Sequence, residues 1–166
     1  MSVHQGVLAP LRKLLVSWLS VPRDQACYAA SEQGSGVDAR KGKARLLLVE
    51  DDYLIGLNAE MSLSDAGYEV LGVAATGEEA VALAEAARPD LVLMDIRLAN
   101  GSSGLWAAAE IFRRFEIRSL FVSAHADERT REQGNRDASP VGWLAKPYSS
   151  EELLSAVTKA LLDLRQ

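Results

Sequence analysis

Five short, uninterrupted apolar runs recur from residue 46 onward: Leu46–Val49, Val70–Val73, Leu91–Met94, Leu120–Val122 and Val141–Ala145. Runs of this kind read as strands covered on both faces, because a strand with one wet face would alternate apolar and polar residues. The segments between them carry helical spacing. Tyr53–Ala66 places Leu54, Leu57 and Met61 at helical intervals and stops at Gly67. Thr76-Gly-Glu-Glu79 is a capping box that opens a helix with Ala80, Leu83, Ala84 and Ala87 on one face, ended by Pro89. Leu105, Ala108, Ala109, Phe112 and Phe115 share a face of the next helix. Ser149-Ser-Glu-Glu152 opens a last helix that carries Leu153, Leu154, Val157, Leu161 and Leu164. Strands alternating with helices predict an α/β fold with a parallel sheet and helices on both of its faces. One connection departs from the pattern. Ala126–Ser139 has almost no apolar face, so a helix there is expected to be short, poorly anchored and mobile.

Charge divides the chain. Residues 1–44 carry six Lys+Arg against three Asp+Glu, and residues 45–166 carry twelve against twenty, a net of −8. Such an acidic body argues against nucleic acid as a partner, since phosphate backbones are bound by Lys and Arg. The Gly- and charge-rich stretch 33–43 reads as a linker, so residues 1–44 form an extension and the folded domain spans 45–166. Within the extension Val7, Leu8, Leu11, Leu14, Leu15, Trp18 and Leu19 share one helical face. The expectation there is a packing helix or a disordered extension. No apolar run is long enough for a transmembrane segment. The single cysteine, Cys27, excludes an intrachain disulfide and fits a cytoplasmic location. His4 and His125 lack metal-ligand spacing.

The chemistry lies at strand ends. The first strand runs into Glu50-Asp51-Asp52, the third ends in Asp95, the fourth in Ser123-Ala124 and the fifth in Lys146-Pro147. In a parallel sheet these ends converge on the edge where ligands bind. Clustered carboxylates repel unless a cation compensates. A hard divalent ion such as magnesium suits one or two carboxylates, waters and a phosphate oxygen. An opposing lysine and a hydroxyl complete a site suited to a phosphoryl group. A carboxylate can itself be the nucleophile.

LLLVEDD, LVLMDIRL, LFVSAH and GWLAKPY together resemble the receiver domains of two-component response regulators over about residues 45–166. The resemblance implies a flavodoxin-like, doubly wound five-stranded parallel sheet in the order 2-1-3-4-5. It implies Asp95 as phosphoacceptor, with Mg2+ (or Mn2+) held by Asp51, Asp95 and the Arg97 carbonyl, and by Glu50 through water. Lys146 would pair with the phosphoryl group. Ser123 would move to bond one of its oxygens, and Trp143 would reorient behind it. The Lys146–Pro147 bond would be cis. Trp143 stands where Tyr or Phe is commoner, and the LANGSSG loop after Asp95 lacks the family's usual proline and acidic-glycine pattern.

The chain ends nineteen residues after Pro147, room for one helix, so the expectation is a single-domain response regulator and not an enzyme. A histidine kinase or histidine phosphotransfer protein would be its donor and a downstream protein its target, with the chain a monomer or homodimer. Two other readings are a phosphohydrolase of the haloacid dehalogenase type and a pseudo-receiver that only binds. The first wants a second Asp two residues after the nucleophile, where this chain has Arg97. The second leaves the intact set of Glu50, Asp51, Asp95, Ser123 and Lys146 unused. Taken singly, Asp51 or Asp52 would read as a helix N-cap, a common use of Asp.

Overall fold

The computed structural model describes residues 43–124 and 126–166. The Val7–Leu19 face, Cys27, His4, His125 and all of the 33–43 linker but Lys43 lie outside the described residues. The elements in chain order are β1 (Arg45–Val49), α1 (Tyr53–Asp65), β2 (Glu69–Ala74), α2 (Gly77–Ala87), β3 (Leu91–Asp95), α3 (Gly104–Phe115), β4 (Ser119–Ser123), α4 (Glu128–Ala138), β5 (Gly142–Ala145) and α5 (Ser150–Asp163). All strand pairs are parallel, and the sheet order is β2-β1-β3-β4-β5. This is the flavodoxin-like arrangement anticipated from the sequence, and each expected strand falls within two residues of an observed one.

Alternate side chains of the central strands feed two cores. Leu47, Val49, Val92, Met94 and Phe121 meet α2, α3 and Ala138 of α4 on one face. Leu46, Leu48, Leu91, Leu93, Leu120 and Val122 meet α1 and α5 on the other. The apolar runs therefore lack alternation because both faces are covered. Among the described residues no helix is long and apolar enough to cross a membrane.

Three helices differ from expectation. The packed face of α1 is Gly56, Ala59 and Leu63, whereas Leu54 and Met61 are 72% and 58% exposed. A Cβ on Gly56 would lie 3.3 Å from a Val73 methyl, so small residues mark the side that closes on the sheet. The Thr76 cap on α2 is half a capping box: Thr76 accepts the Glu79 N–H, but Glu79 accepts from Ala75 instead of Thr76. The Ser149–Glu152 box on α5 is complete.

The third difference is α4, which is a full helix of 11 residues and not a short one. Asp127 caps it by accepting the Thr130 N–H at 2.8 Å. It is anchored by Gly134 and Ala138, both buried, and by a tryptophan from the sheet. The indole of Trp143 stacks on Phe121 with ring centroids 4.5 Å apart and donates its N–H to Asn135 Oδ1 at 3.0 Å. The anchor is supplied by β5, so the helix's own sequence carries no apolar stripe.

Candidate functional site

The carboxyl ends of β1, β3, β4 and β5 lie side by side because the register sets Val49 against Met94, Asp95 against Val122 and Ser123 against Ala145. Glu50, Asp51 and Asp95 are thereby brought together, with one carboxylate oxygen of each lying within 4.8 Å of the others. Asp52 is not part of this set. Its side chain accepts the N–H groups of Leu54 and Ile55 at 2.9 and 3.1 Å and caps α1. Asp95 ends β3 and is 8% exposed. Its Oδ1 accepts the Arg97 N–H at 3.2 Å, and its Oδ2 accepts from Lys146 Nζ at 2.6 Å. The same ammonium donates to Glu50 Oε2 at 2.5 Å. Lys146–Pro147 is cis. Ser123 is buried at the end of β4, and its carbonyl accepts the Lys146 N–H at 3.0 Å. The Arg97 side chain is exposed.

Burial raises Glu50 above its ordinary range, and the neighbouring Asp95 charge adds to this, against the opposing pull of Lys146. Burial alone would lower the Lys146 ammonium, but its hydrogen bonds to Asp95 and Glu50 and their charges outweigh burial and hold it above its ordinary 10.5. The two partners thus shift in ways a simple ion pair would not give. For Glu50 desolvation wins; for Lys146, with two acceptors, attraction wins. A raised ammonium contributes stability that is complete below its ordinary value and is lost as pH rises through the raised one. Tyr148, also raised by burial, acts in the same alkaline direction. The difference between wild type and Lys146→Met therefore isolates the lysine. Urea midpoints are expected to fall more steeply with pH above about 10.5 in wild type than in Lys146→Met.

Formally, three carboxylates against one ammonium leave a charge of −2 in a partly dry recess, which a divalent cation would cancel. All the donors are hard oxygens, the chemistry magnesium or manganese prefers. The residues therefore fit such an ion.

Gly104 was not singled out by sequence reasoning, which treated 101–104 as a plain loop. Its N–H bonds the Ile96 carbonyl at 2.9 Å, and a Cβ there would fall 1.8 Å from the Asp95 carbonyl oxygen. Ser102 was also missed. Its hydroxyl accepts the Gly77 N–H at 2.8 Å and donates to Glu78 at 3.1 Å, tying the loop after Asp95 to the start of α2. No local sequence signal marks either contact, since both are made across elements. A recess of about 580 Å³ lies at the opposite, amino-terminal end of the strands beside Arg45, Asp90 and Arg118. It is remote from the acids.

The sequence matches the response regulator receiver domain over residues 46–158. The chain belongs to that family. The receiver is 36% identical over 122 residues to the transcriptional regulatory protein PdtaR of Mycobacterium tuberculosis, covering 74% of this chain and 58% of PdtaR. It is 37% identical over 117 residues to the phyllosphere-induced regulator PhyR of Methylorubrum extorquens, covering 70% of this chain and 43% of PhyR. The chain thus spans about half the length of these curated relatives. Among solved structures, the signal receiver domain of a modulated diguanylate cyclase from Desulfovibrio desulfuricans superposes with a TM-score of 0.68 at 32% identity, over 74% of this chain and 97% of that domain.

Proposed function

We propose that this receiver accepts a phosphoryl group on Asp95 from a histidine kinase or histidine phosphotransfer protein and thereby changes its affinity for a downstream protein. The observation that carries this reading is Lys146 Nζ at 2.6 Å from Asp95 Oδ2, beside a cluster of three carboxylates to which Asp95 belongs. A carboxylate oxygen of Asp95 would attack phosphorus, the phosphorus–nitrogen bond of phosphohistidine would break, and the imidazole would leave. Asp51 and Asp95, with the Arg97 carbonyl, would hold Mg2+ or Mn2+, and Glu50 would hold it through water. That ion would supply charge neutralisation for the incoming phosphoryl oxygens. Lys146 would swing its point charge from Glu50 to a phosphoryl oxygen, and Ser123 would donate to another. Little else is asked of the protein, because phosphoryl transfer depends mainly on position and charge.

The exposed side chains of Tyr53, Leu57 and Val73 line one hollow with Glu50 and Asp51. They offer the donor apolar surface beside the acidic pair. On this reading the chain works in the cytoplasm as a signalling phosphoacceptor and catalyses only its own phosphorylation and dephosphorylation.

Intact-mass measurement after incubation with a small phosphodonor and magnesium tests the proposal. One alkali-labile phosphoryl adduct is expected in wild type and none in Asp95→Asn. Continuous turnover of phosphoesters would instead indicate a hydrolase. Absence of any adduct, even from a cognate kinase, would leave a domain that only binds.

A further inference from the structure

The loop after Asp95 is a short hairpin. Gly104 donates to the Ile96 carbonyl at 2.9 Å and Leu98 donates to the Ser102 carbonyl at 3.3 Å, with Arg97 facing Ser103 between them. Two such bonds flank a pair that exchanges none across the hairpin, so the Arg97 N–H and carbonyl both face away from Ser103. The N–H goes to Asp95 Oδ1 at 3.2 Å, which puts the Arg97 carbonyl on the side of the Asp95 carboxylate. The place of that oxygen is therefore set by whatever holds the hairpin.

The outgoing leg is held by burial of Ile96 and Leu98. On the return leg Gly101 and Ser103 are exposed, and Gly101 has φ of +73°, a conformation glycine adopts freely. The segment 96–104 contains no proline to stiffen it. What ties this leg to the body is the Ser102 hydroxyl, which accepts the Gly77 N–H at 2.8 Å and donates to Glu78 at 3.1 Å. Both partners belong to the first turn of α2, a helix seated in the core through Ala80, Val81 and Ala84. A Cβ on Gly77 would stand 2.9 Å from the same hydroxyl oxygen, so the missing side chain admits the contact.

We propose that Ser102 is a positioning residue for the divalent cation, acting through the hairpin to fix the Arg97 carbonyl beside the carboxylates of Asp51 and Asp95. The inference rests on the reading that these oxygens hold magnesium. Its consequence is ion selectivity. Magnesium demands near-ideal octahedral geometry with short bonds, whereas calcium accepts a variable number of ligands in flexible arrangements. A loosened carbonyl therefore penalises magnesium and leaves calcium nearly untouched.

Calorimetric titrations of the full chain with magnesium and with calcium test this. Ser102→Ala is expected to weaken magnesium binding about fivefold, the scale of one hydrogen bond, and to move calcium binding by less than about twofold. Ser102→Thr, which keeps the hydroxyl, should restore the wild-type magnesium affinity. Gly77→Ala, which crowds the same hydroxyl from the helix side, should reproduce the Ser102→Ala pattern. Unchanged magnesium affinity in Ser102→Ala would overturn the proposal. So would equal losses for both ions, the mark of a general structural role, and so would a threonine variant as weak as the alanine one. Should Ser102→Ala fail to fold, Gly77→Ala carries the same decision. A wild-type chain that binds no magnesium overturns the cation reading itself, a failure distinct from those of the variants.

Discussion

Gly104→Ala is expected to unseat the loop after Asp95 and lower the melting temperature by about 10 °C. A Cβ at this position would sit 1.8 Å from the Asp95 carbonyl oxygen, where real Cβ contacts stay beyond 3.0 Å. The two backbones would have to part by about 1 Å, and neither is free to give way. Asp95 is paired with Val122 of β4, so β3 cannot retreat without breaking its ladder. On the other side, α3 is locked through buried Ala107, Ala108 and Ile111. Overpacking of this kind costs about 3 kcal/mol, and the displacement falls on Asp95, the proposed phosphoacceptor. The natural control is Gly101, in the same loop. It has φ of +73° with nothing within 4 Å of its notional Cβ, so Gly101→Ala should cost only about 1 kcal/mol of backbone strain and leave phosphorylation intact. Thermal melts and phosphodonor time courses on both variants decide the matter. Equal, mild effects at the two glycines would mean that α3 does not press on Asp95.

The same pair of glycines marks where sequence reasoning stops. Five apolar runs and their acidic, hydroxyl and lysine ends were legible, because burial on both sheet faces writes a continuous apolar run and a parallel sheet gathers its strand ends at one edge. Glu50, Asp51, Asp95, Ser123 and Lys146 could be placed together without coordinates. Contacts made by absence could not. Gly104 against Asp95, Gly56 against Val73 and Gly134 against Trp143 matter for the side chain they lack, and a glycine in a string of letters reads as a turn or a helix stop. The packed face of α1 was hidden for a related reason. That helix is apolar nearly all round, so Leu54, Leu57 and Met61 were as periodic as Gly56, Ala59 and Leu63, and only the close approach to β2 selects the smaller set. The anchoring of α4 was invisible because its apolar partner, Trp143, is supplied by another element eight residues beyond Asn135.

Lys146→Met is expected to separate two properties that a structural lysine would lose together. The ammonium lies 2.5 and 2.6 Å from Glu50 and Asp95, where it neutralises the charge that a divalent cation would otherwise meet. Removing it leaves three carboxylates facing one another with their attraction for a cation undivided. At the effective dielectric of a partly exposed site, the repulsion between a lysine and a divalent ion about 5 Å apart reaches several kcal/mol before solvent screening. An increase in magnesium affinity of about tenfold remains after a generous discount. Phosphotransfer should move the other way. The developing charge on the phosphoryl oxygens loses its opposing cation, and a fall in rate of about a hundredfold is the usual consequence of removing one such group. Lys146→Arg should not rescue the rate, because a planar fork cannot stand where a point charge fits between two carboxylates. Calorimetric magnesium titration and the time course of the Asp95 adduct measure the two quantities on the same protein. A variant that binds magnesium more weakly and also reacts more slowly would mean that Lys146 only shapes the site. Tighter binding with slower reaction is what competition for the same carboxylates predicts.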